Sequence, residues 1–465
     1  MRPDTVSRRD LLKMAAALPL LSLQRGVGNA PDPWDEARAI LARIKEPTFP
    51  DRDFNVTRYG SIQEAIAACS AAGGGRVVVP AGEFTTGALR LKSRVNLYLS
   101  AGSVVKFSAD PKAYLPVVFT RYEGTEFMNY SPFIYAFDEQ DVAITGPGTL
   151  DGQADATHWW NWTRNMAASR RKLVDYGAAG TPVAERVFGD GSFMRPNFIQ
   201  PYRCRNVFIE GITIKNSPMW EIHPVLCTNV IVRGVTIDSH GPNNDGCNPE
   251  SCRDVLIERC SFDTGDDCIA LKSGRNNDGR RVGVPVENVI VRDCTMKDGH
   301  GGVTIGSEIS GGARNIFAER CRMDSSQLDR ALRMKTNSVR GGVIERVFMR
   351  DVTIGQVREA VVAIDFNYEE GDAGQFTPIV RDIEVRNVTS QKSDYALLLR
   401  GYERTPVTNV RVVDCKFENV ANPDGLEFVK DIEFRNVTRN GQLFNFTVSG
   451  GIFTGPTSAP LRSRN

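Results

Sequence analysis

Nine times between residues 206 and 437, one polar residue opens a short apolar run. The openers are Asn206, Asn229, Asp254, Asn288, Asn315, Arg346, Asp382, Asn409 and Asp431, at intervals of 23, 25, 34, 27, 31, 36, 27 and 22 residues. The runs share one form, as in RNVFIEGITI, TNVIVRGVTI, RDVLIERCSF, ENVIVRDCTM and TNVRVVDCKF. Units of this length, built of β-branched residues and Asn-rich turns with no helical period, bury their apolar side chains only by stacking on one another. The expected fold is all-β: a single right-handed parallel β-helix whose coils lie about 4.8 Å apart. Propeller blades repeat at about 40 residues and sandwich strands at about 8–12, and neither fits. DVAITGPGTLDG, from Asp141, reads as an earlier member of the series.

The same register accounts for several of the ten cysteines. Six residues after each opener stand Ile212, Val235, Cys260, Cys294, Cys321, Val352, Val388, Cys415 and Val437. Cysteine alternates there with Ile and Val, so these four are expected to be small buried hydrophobes, not disulfide partners. Cys247 and Cys252 are close enough in sequence to pair.

The chain divides into three parts. Residues 1–30 read as an export signal: Arg8-Arg9 before Leu11-Leu12-Lys13, an apolar run from Met14 to Leu23, then small residues to Ala30. The adjacent arginines resemble a twin-arginine address, and an ordinary secretory leader is the alternative. The predicted location is therefore the periplasm or exterior of a bacterium. Residues 31–55 are expected to cap one end, with a helix over Asp35–Ile44, and residues 56–465 to form the β-helix, opened by a second short helix over Ser61–Ala72. No stretch approaches the roughly 20 apolar residues of a membrane span. With 57 Lys plus Arg against 56 Asp plus Glu, no global field steers the chain to nucleic acid. An anionic partner must be bound by local cations, and the chain is expected to act as a monomer.

Four polar signatures interrupt the repeat between Ser239 and Lys335: Asn244-Asp245-Gly246, Gly265-Asp266-Asp267, Gly299-His300-Gly301 and Arg333-Met334-Lys335. Asp245 to Asp266 is 21 residues, while Asp267 to His300 and His300 to Arg333 are 33 each. In a chain coiling at that period the positions stack on one wall, setting a row of carboxylates beside a row of cations. Taken singly, each is an ordinary turn or a solvated charge. Their joint occurrence in this order points to a site for an acidic sugar. No metal cluster and no nucleotide loop are evident, and no cofactor is expected.

These signatures resemble the NTD, DD, G-H-G and R-I-K motifs of glycoside hydrolase family 28, the polygalacturonases and related pectin hydrolases. GHGGVTIGS is the most specific string, and the similarity runs from about Phe54 to Thr438. Asn stands for Thr at 244 and Met for Ile at 334, and neither change removes a charge. The resemblance implies single-displacement hydrolysis with inversion: Asp266 as general acid, Asp245 and Asp267 holding and deprotonating the attacking water, His300 tuning the acid. It further implies that Arg333 and Lys335 bind the galacturonate carboxylate, with Tyr368 and Asn244 as further substrate contacts. Arg275 resembles bacterial exo-acting members, in which inserted loops close one end of the groove. Crowding of three carboxylates is expected to raise at least one of their pKa values. Inverting enzymes separate their carboxyl groups by about 6.5–9.5 Å, so coils about 4.8 Å apart predict a closer pair than that rule.

Softer candidates complete the reading. Trp159, Trp160 and Trp162 suit either a sugar-stacking platform or plain packing of an inserted loop, and Trp220 and His223 are placed to line the cleft. The expected partner is galacturonan or pectin, attacked from the chain end. A rhamnogalacturonan or xylogalacturonan hydrolase is the close alternative, and a β-helical pectate lyase or a non-catalytic carbohydrate-binding β-helix the distant ones.

Overall fold

The computed structural model describes residues 32–455, so the export signal expected over 1–30 lies outside the described residues. From Asp53 onward the chain winds as stacked coils. One parallel sheet gathers 14 strands, a second gathers 13, and a third is made of a three-stranded and a six-stranded section. Single bridges, Ile199↔Ile222, Ile222↔Cys247 and Cys247↔Ile269, join the two sections of the third sheet. The result is the predicted parallel β-helix, with the aliphatic core running down its centre.

The backbone explains why the repeat is visible in sequence. Every opener has positive φ, from 55° at Asp431 to 59° at Asp382, and so does the residue five positions later, from Gly211 and Arg259 to Asn436. Each unit is thus a short strand between two left-handed bends, a conformation most tolerable for Gly, Asn and Asp. The opener side chains then stack: Asn206 donates to Asp141 at 2.7 Å, Asn229 to Asn206 at 2.8 Å, Asn315 to Asn288 at 2.9 Å and Asn409 to Asp382 at 2.6 Å. Bend and ladder together fix the register of each coil on the last.

All ten cysteines are buried and unpaired. Cys260, Cys294, Cys321 and Cys415 occupy the interior stack as expected, and Cys247 and Cys252 form no disulfide. Cys204, Cys227 and Cys252 make a second column, in which the Cys204 and Cys227 amides each donate to the sulfur on the next coil, at 3.3 and 3.4 Å.

The N-terminal segment corrects one expectation. Helix α1 (Pro33–Arg43) does not close an end of the coil but lies along its flank. On the outer face of the first sheet Ala143, Phe208, Ile231, Leu256, Ile290, Phe317 and Phe348 stand in register on seven successive coils, and this apolar stripe needs a cover. Trp34, Ala37, Ile40 and Ile44 supply it. Trp34 meets Phe317 edge-on at 5.4 Å, with the Arg350 guanidinium 3.7 Å from its ring centre. The segment runs back toward the first coil, pinned by Arg43 to Asp254 at 2.8 Å and by Asn229 to the carbonyl of Lys45 at 2.7 Å. Helix α2 (Ile62–Ala71) is the element that closes the N-terminal end, turning Ile62, Ala65, Ile66 and Cys69 into the core. At the other end two antiparallel pairings finish the sheets.

Because Trp34 is 3% exposed and anchors the cover, Trp34→Ala should lower unfolding free energy by about 3 kcal/mol. Denaturant unfolding measures it; an unchanged midpoint would mean the flank does not depend on α1.

Candidate active site

Parallel register brings the four signatures together. Val303–Gly306 pairs with Leu332–Lys335, and Leu332–Lys335 with Val362–Asp365, so each coil offers its polar residues one rung above the last. Asp245, Asp266, His300, Arg333, Lys335 and Tyr368 all line one cleft of about 1050 Å³. Asp245, Asp266 and Asp267 each place an oxygen within 4.8 Å of the others, closer than the usual inverting separation, as coil stacking predicts.

Each carboxylate has its own nitrogen partner, drawn from a different segment. The Lys335 ammonium is 2.7 Å from Asp267 Oδ2, and Arg333 Nη1 is 3.3 Å from Oδ1, which also accepts from the Thr304 hydroxyl at 2.9 Å. His300 Nδ1 is 2.9 Å from Asp266 Oδ1. Lys272 Nζ lies 3.5 Å from Asp245 Oδ2 and 3.0 Å from Glu308, with the Trp220 ring 4.4 Å away. Asn248 donates to Asp245 Oδ2 at 2.9 Å. Gly301 lets its own backbone pass beside Asp267 and Thr304, since a Cβ there would sit 2.9 Å from Asp267 Oδ1 and closer still to the Thr304 hydroxyl.

Burial raises all three carboxyl pKa values, and their partners then separate them. Asp245 stays well above the usual range, because burial and the charges of Asp266 and Asp267 outweigh Lys272 and Lys335. On Asp266 the His300 hydrogen bond and charge outweigh burial and leave the group lowered. On Asp267 the attraction of Lys335, Arg333 and Lys272 overcomes burial and holds the group ionised. Of the three, Asp245 is the carboxyl whose surroundings most favour the protonated form.

The side chains also differ in reach. Asp266 is 18% exposed, Asp245 3% and Asp267 0%, so Asp266 is the carboxyl that faces the cleft. Three carboxylates at this spacing would suit a cation. Both Asp267 oxygens, however, are already engaged by Lys335, Arg333 and Thr304.

Two predicted substrate contacts prove to be inner supports. Asn244 is fully buried: its Oδ1 accepts from the Ser239 hydroxyl and the Gly241 amide, each at 2.8 Å, and its Nδ2 donates to the carbonyls of Ser217 and Met219, each at 3.1 Å. With all four bonds used, it shapes the turn that presents Asp245 and has nothing left for a sugar. Arg275 is 6% exposed and sits behind the wall, bonded to Glu123 at 2.9 Å and near Glu369 at 3.4 Å and Glu370 at 3.5 Å. His223 likewise lies beneath the cleft, 2.8 Å from Glu250.

Of the aromatic candidates, Trp220 and Tyr368 reach the cleft. Trp159 is buried in the core, and Trp160 donates to the Ser217 carbonyl at 2.8 Å, so the tryptophan insertion is packing. Lys272, in the apolar strand CIALKSG, was not singled out by sequence. Its signal is a charge at a position that alternation sets opposite the core residues Ile269 and Leu271.

One side of the cleft is walled by excursions from the coil. These are the hairpin of Val118–Tyr122 and Thr125–Asn129, helix α3 (Ala167–Ala179), helix α4 (Asn276–Val282) and the turn carrying Tyr368 and Glu369. Glu123, Arg170 and Glu369 face inward from that wall, and Glu308 lines the cleft from the coil.

A family model described as glycosyl hydrolases family 28 matches residues 189–438. Among solved structures, the hyperthermoactive exopolygalacturonase of Thermotoga maritima is 43% identical, with a TM-score of 0.87 over 90% of this chain and 99% of that one. The exo-poly-alpha-D-galacturonosidase of Dickeya chrysanthemi is 25% identical over 86% of this chain and 75% of its own length. A probable polygalacturonase of Vitis vinifera is 28% identical over 79% and 70%. The matched span holds all four signatures on their shared wall, and the chain belongs to glycosyl hydrolases family 28.

Proposed function

We propose that this chain is a pectin-degrading exo-polygalacturonase, hydrolysing galacturonosyl linkages with inversion. The observation that carries the reading is one cleft in which the accessible, His300-bonded Asp266 carboxyl faces Arg333 and Lys335. The similarity to exo-acting relatives and the walled side of the cleft favour attack from a chain end.

In this reading a galacturonate carboxylate takes the Arg333 fork and the Lys335 ammonium beside the Tyr368 ring. That carboxylate competes with Asp267 for the same two cations and adds its own negative charge, so it raises the basicity of the whole carboxylate group. A single proton, favoured on Asp245 by burial, then passes to Asp266 within 4.8 Å, which leaves Asp266 as the acid and Asp245 free to act as a base. Asp266 protonates the leaving glycosidic oxygen while Asp245 and Asp267 hold a water and accept its proton. His300 orients Asp266 and Lys272 holds Asp245. Export on the leader of residues 1–30, action as a monomer and the division into leader, flank segment and 56–465 catalytic coil complete the proposal.

Three outcomes test this. Polygalacturonate should yield reducing sugar without an unsaturated, ultraviolet-absorbing product, and galacturonate or one short oligomer should accumulate from the first minutes; unsaturated product would mean a lyase. Asp266→Asn should lower kcat by about a thousandfold or more, whereas Arg333→Gln should act largely on KM, by about ten- to a hundredfold for a lost charge-assisted contact. Equal activity of Asp266→Asn and the parent would point to a binding protein.

The protons give a stability test. A group whose folded pKa is raised, as at Asp245, contributes stability below its unfolded value, near 4, and loses it as pH rises through the folded value. Asp245→Asn does not titrate, so it should melt above the parent at pH 7.5, with the gap closing at pH 4. A gap independent of pH would place the proton elsewhere.

A further inference from the structure

The cleft accounts for its charges with one exception. Of the lysines and arginines that line it, Arg170 pairs with Glu123 at 2.7 Å, Lys272 with Glu308 at 3.0 Å, Arg330 with Glu359, and Arg333 and Lys335 with Asp267 at 3.3 and 2.7 Å. Arg171 lines the same cleft, is exposed, and its guanidinium has neither ion pair nor hydrogen bond among the described residues. It stands on α3, whose residues Ala167, Arg170, Arg171 and Val174 face the cleft at the i, i+3, i+4, i+7 spacing of a single helix face.

That face is held firmly. Leu173 is buried against Tyr122, Phe127 and Trp220, and a Cβ on Gly177 would come within 3.4 Å of the Thr125 methyl. The Arg170–Glu123 pair ties the same turn to the hairpin. Arg171 is therefore a cation delivered by a rigid element to the rim of a site for a polyanion, with no protein carboxylate spent on it.

We propose that Arg171 binds the carboxylate of a second galacturonate unit, distinct from the unit held by Arg333 and Lys335. The inference rests on the galacturonan reading. A homogalacturonan chain carries one carboxylate per sugar, so a chain anchored at Arg333 and Lys335 presents others along the wall that α3 forms. The planar guanidinium accepts such a carboxylate through two parallel N–H donors. Being exposed, the contact is worth little by itself and weakens with salt, so it acts on length preference and not on the chemical step.

The test is calorimetric binding of galacturonate and trigalacturonate to the full chain carrying Asp266→Asn, with and without Arg171→Gln. Arg171→Gln should weaken trigalacturonate about three- to fivefold, at least three times more than it weakens the monomer, with a shallower salt dependence. Arg171→Lys should recover part of the loss. Lys172→Gln, one residue round the helix and outside the cleft lining, controls for long-range charge. Equal loss on monomer and trimer, no loss, or the same loss with Lys172→Gln overturns the inference alone. A parent that binds no trigalacturonate overturns the galacturonan reading with it.

Discussion

Everything in this molecule depends on the in-register stacking of one coil on the next. A parallel ladder places residues 22–36 apart in sequence one strand spacing apart in space, and the two left-handed bends of each unit keep the register from slipping. The column Gly306–Lys335–Asp365–Arg400–Glu427 shows the consequence at the third sheet. Five coils contribute one residue each, and charge alternates from Lys335 onward. Lys272, paired with Glu250 one coil back, reaches the Gly306 carbonyl at 3.4 Å. The cleft cations are thus fixed by backbone register before any side-chain packing is considered.

The same stacking brings three carboxylates within 4.8 Å of one another, and each is met by a side-chain nitrogen from another segment. Asp267 is the extreme case: a fully buried acid that remains charged because Lys335, Arg333 and Lys272 surround it. Such a pair is weak evidence of stability, since burial of both partners offsets the attraction. Its effect is on position and protonation. It keeps one acid ionised while Asp245, with a longer contact to its lysine, is pushed up by burial, and pushing neighbouring pKa values apart is how one site acquires both an acid and a base. The Glu221 carboxyl, buried next to this cluster and raised by burial and by Asp245, is a further sign of how much negative charge this wall would otherwise hold.

The motifs were legible because they are local strings whose spacing matches the coil, and the cysteine stack because it recurs at one position of the repeat. Accessibility was not legible. Asn244 and Arg275 carry side chains suited to a sugar, yet each spends them on the scaffold, and nothing in residue type distinguishes a donor facing a cleft from one facing a carbonyl. The site of α1 was missed for a different reason. Two residues after the openers stand Phe208, Ile231, Leu256, Ile290, Phe317 and Phe348, and then Glu384, Arg411 and Glu433. That switch from apolar to charged marks where a cover ends, and it becomes evident only when the alternate residues are assigned to the outside of the coil.

The walls of the cleft follow a different logic from its floor. The floor is repetitive and comes from register; the walls are insertions that register does not place. They are held by a buried ionic hub in which Arg275 meets Glu123 of the hairpin, Glu308 of the coil, and Glu369 and Glu370 of the Tyr368 turn, while Arg340 reaches Glu369 and Glu370 from the next coil. Arg186 bonds Asp278 of α4 in the same manner at 2.8 Å. Charged pairs demand specific partners, so a hub of this kind fixes one arrangement of the inserted segments where apolar contacts would tolerate several. The insertions thus decide what the rim presents to the cleft, as α3 presents Arg171, while the carboxylates and cations on the coil stay where stacking puts them.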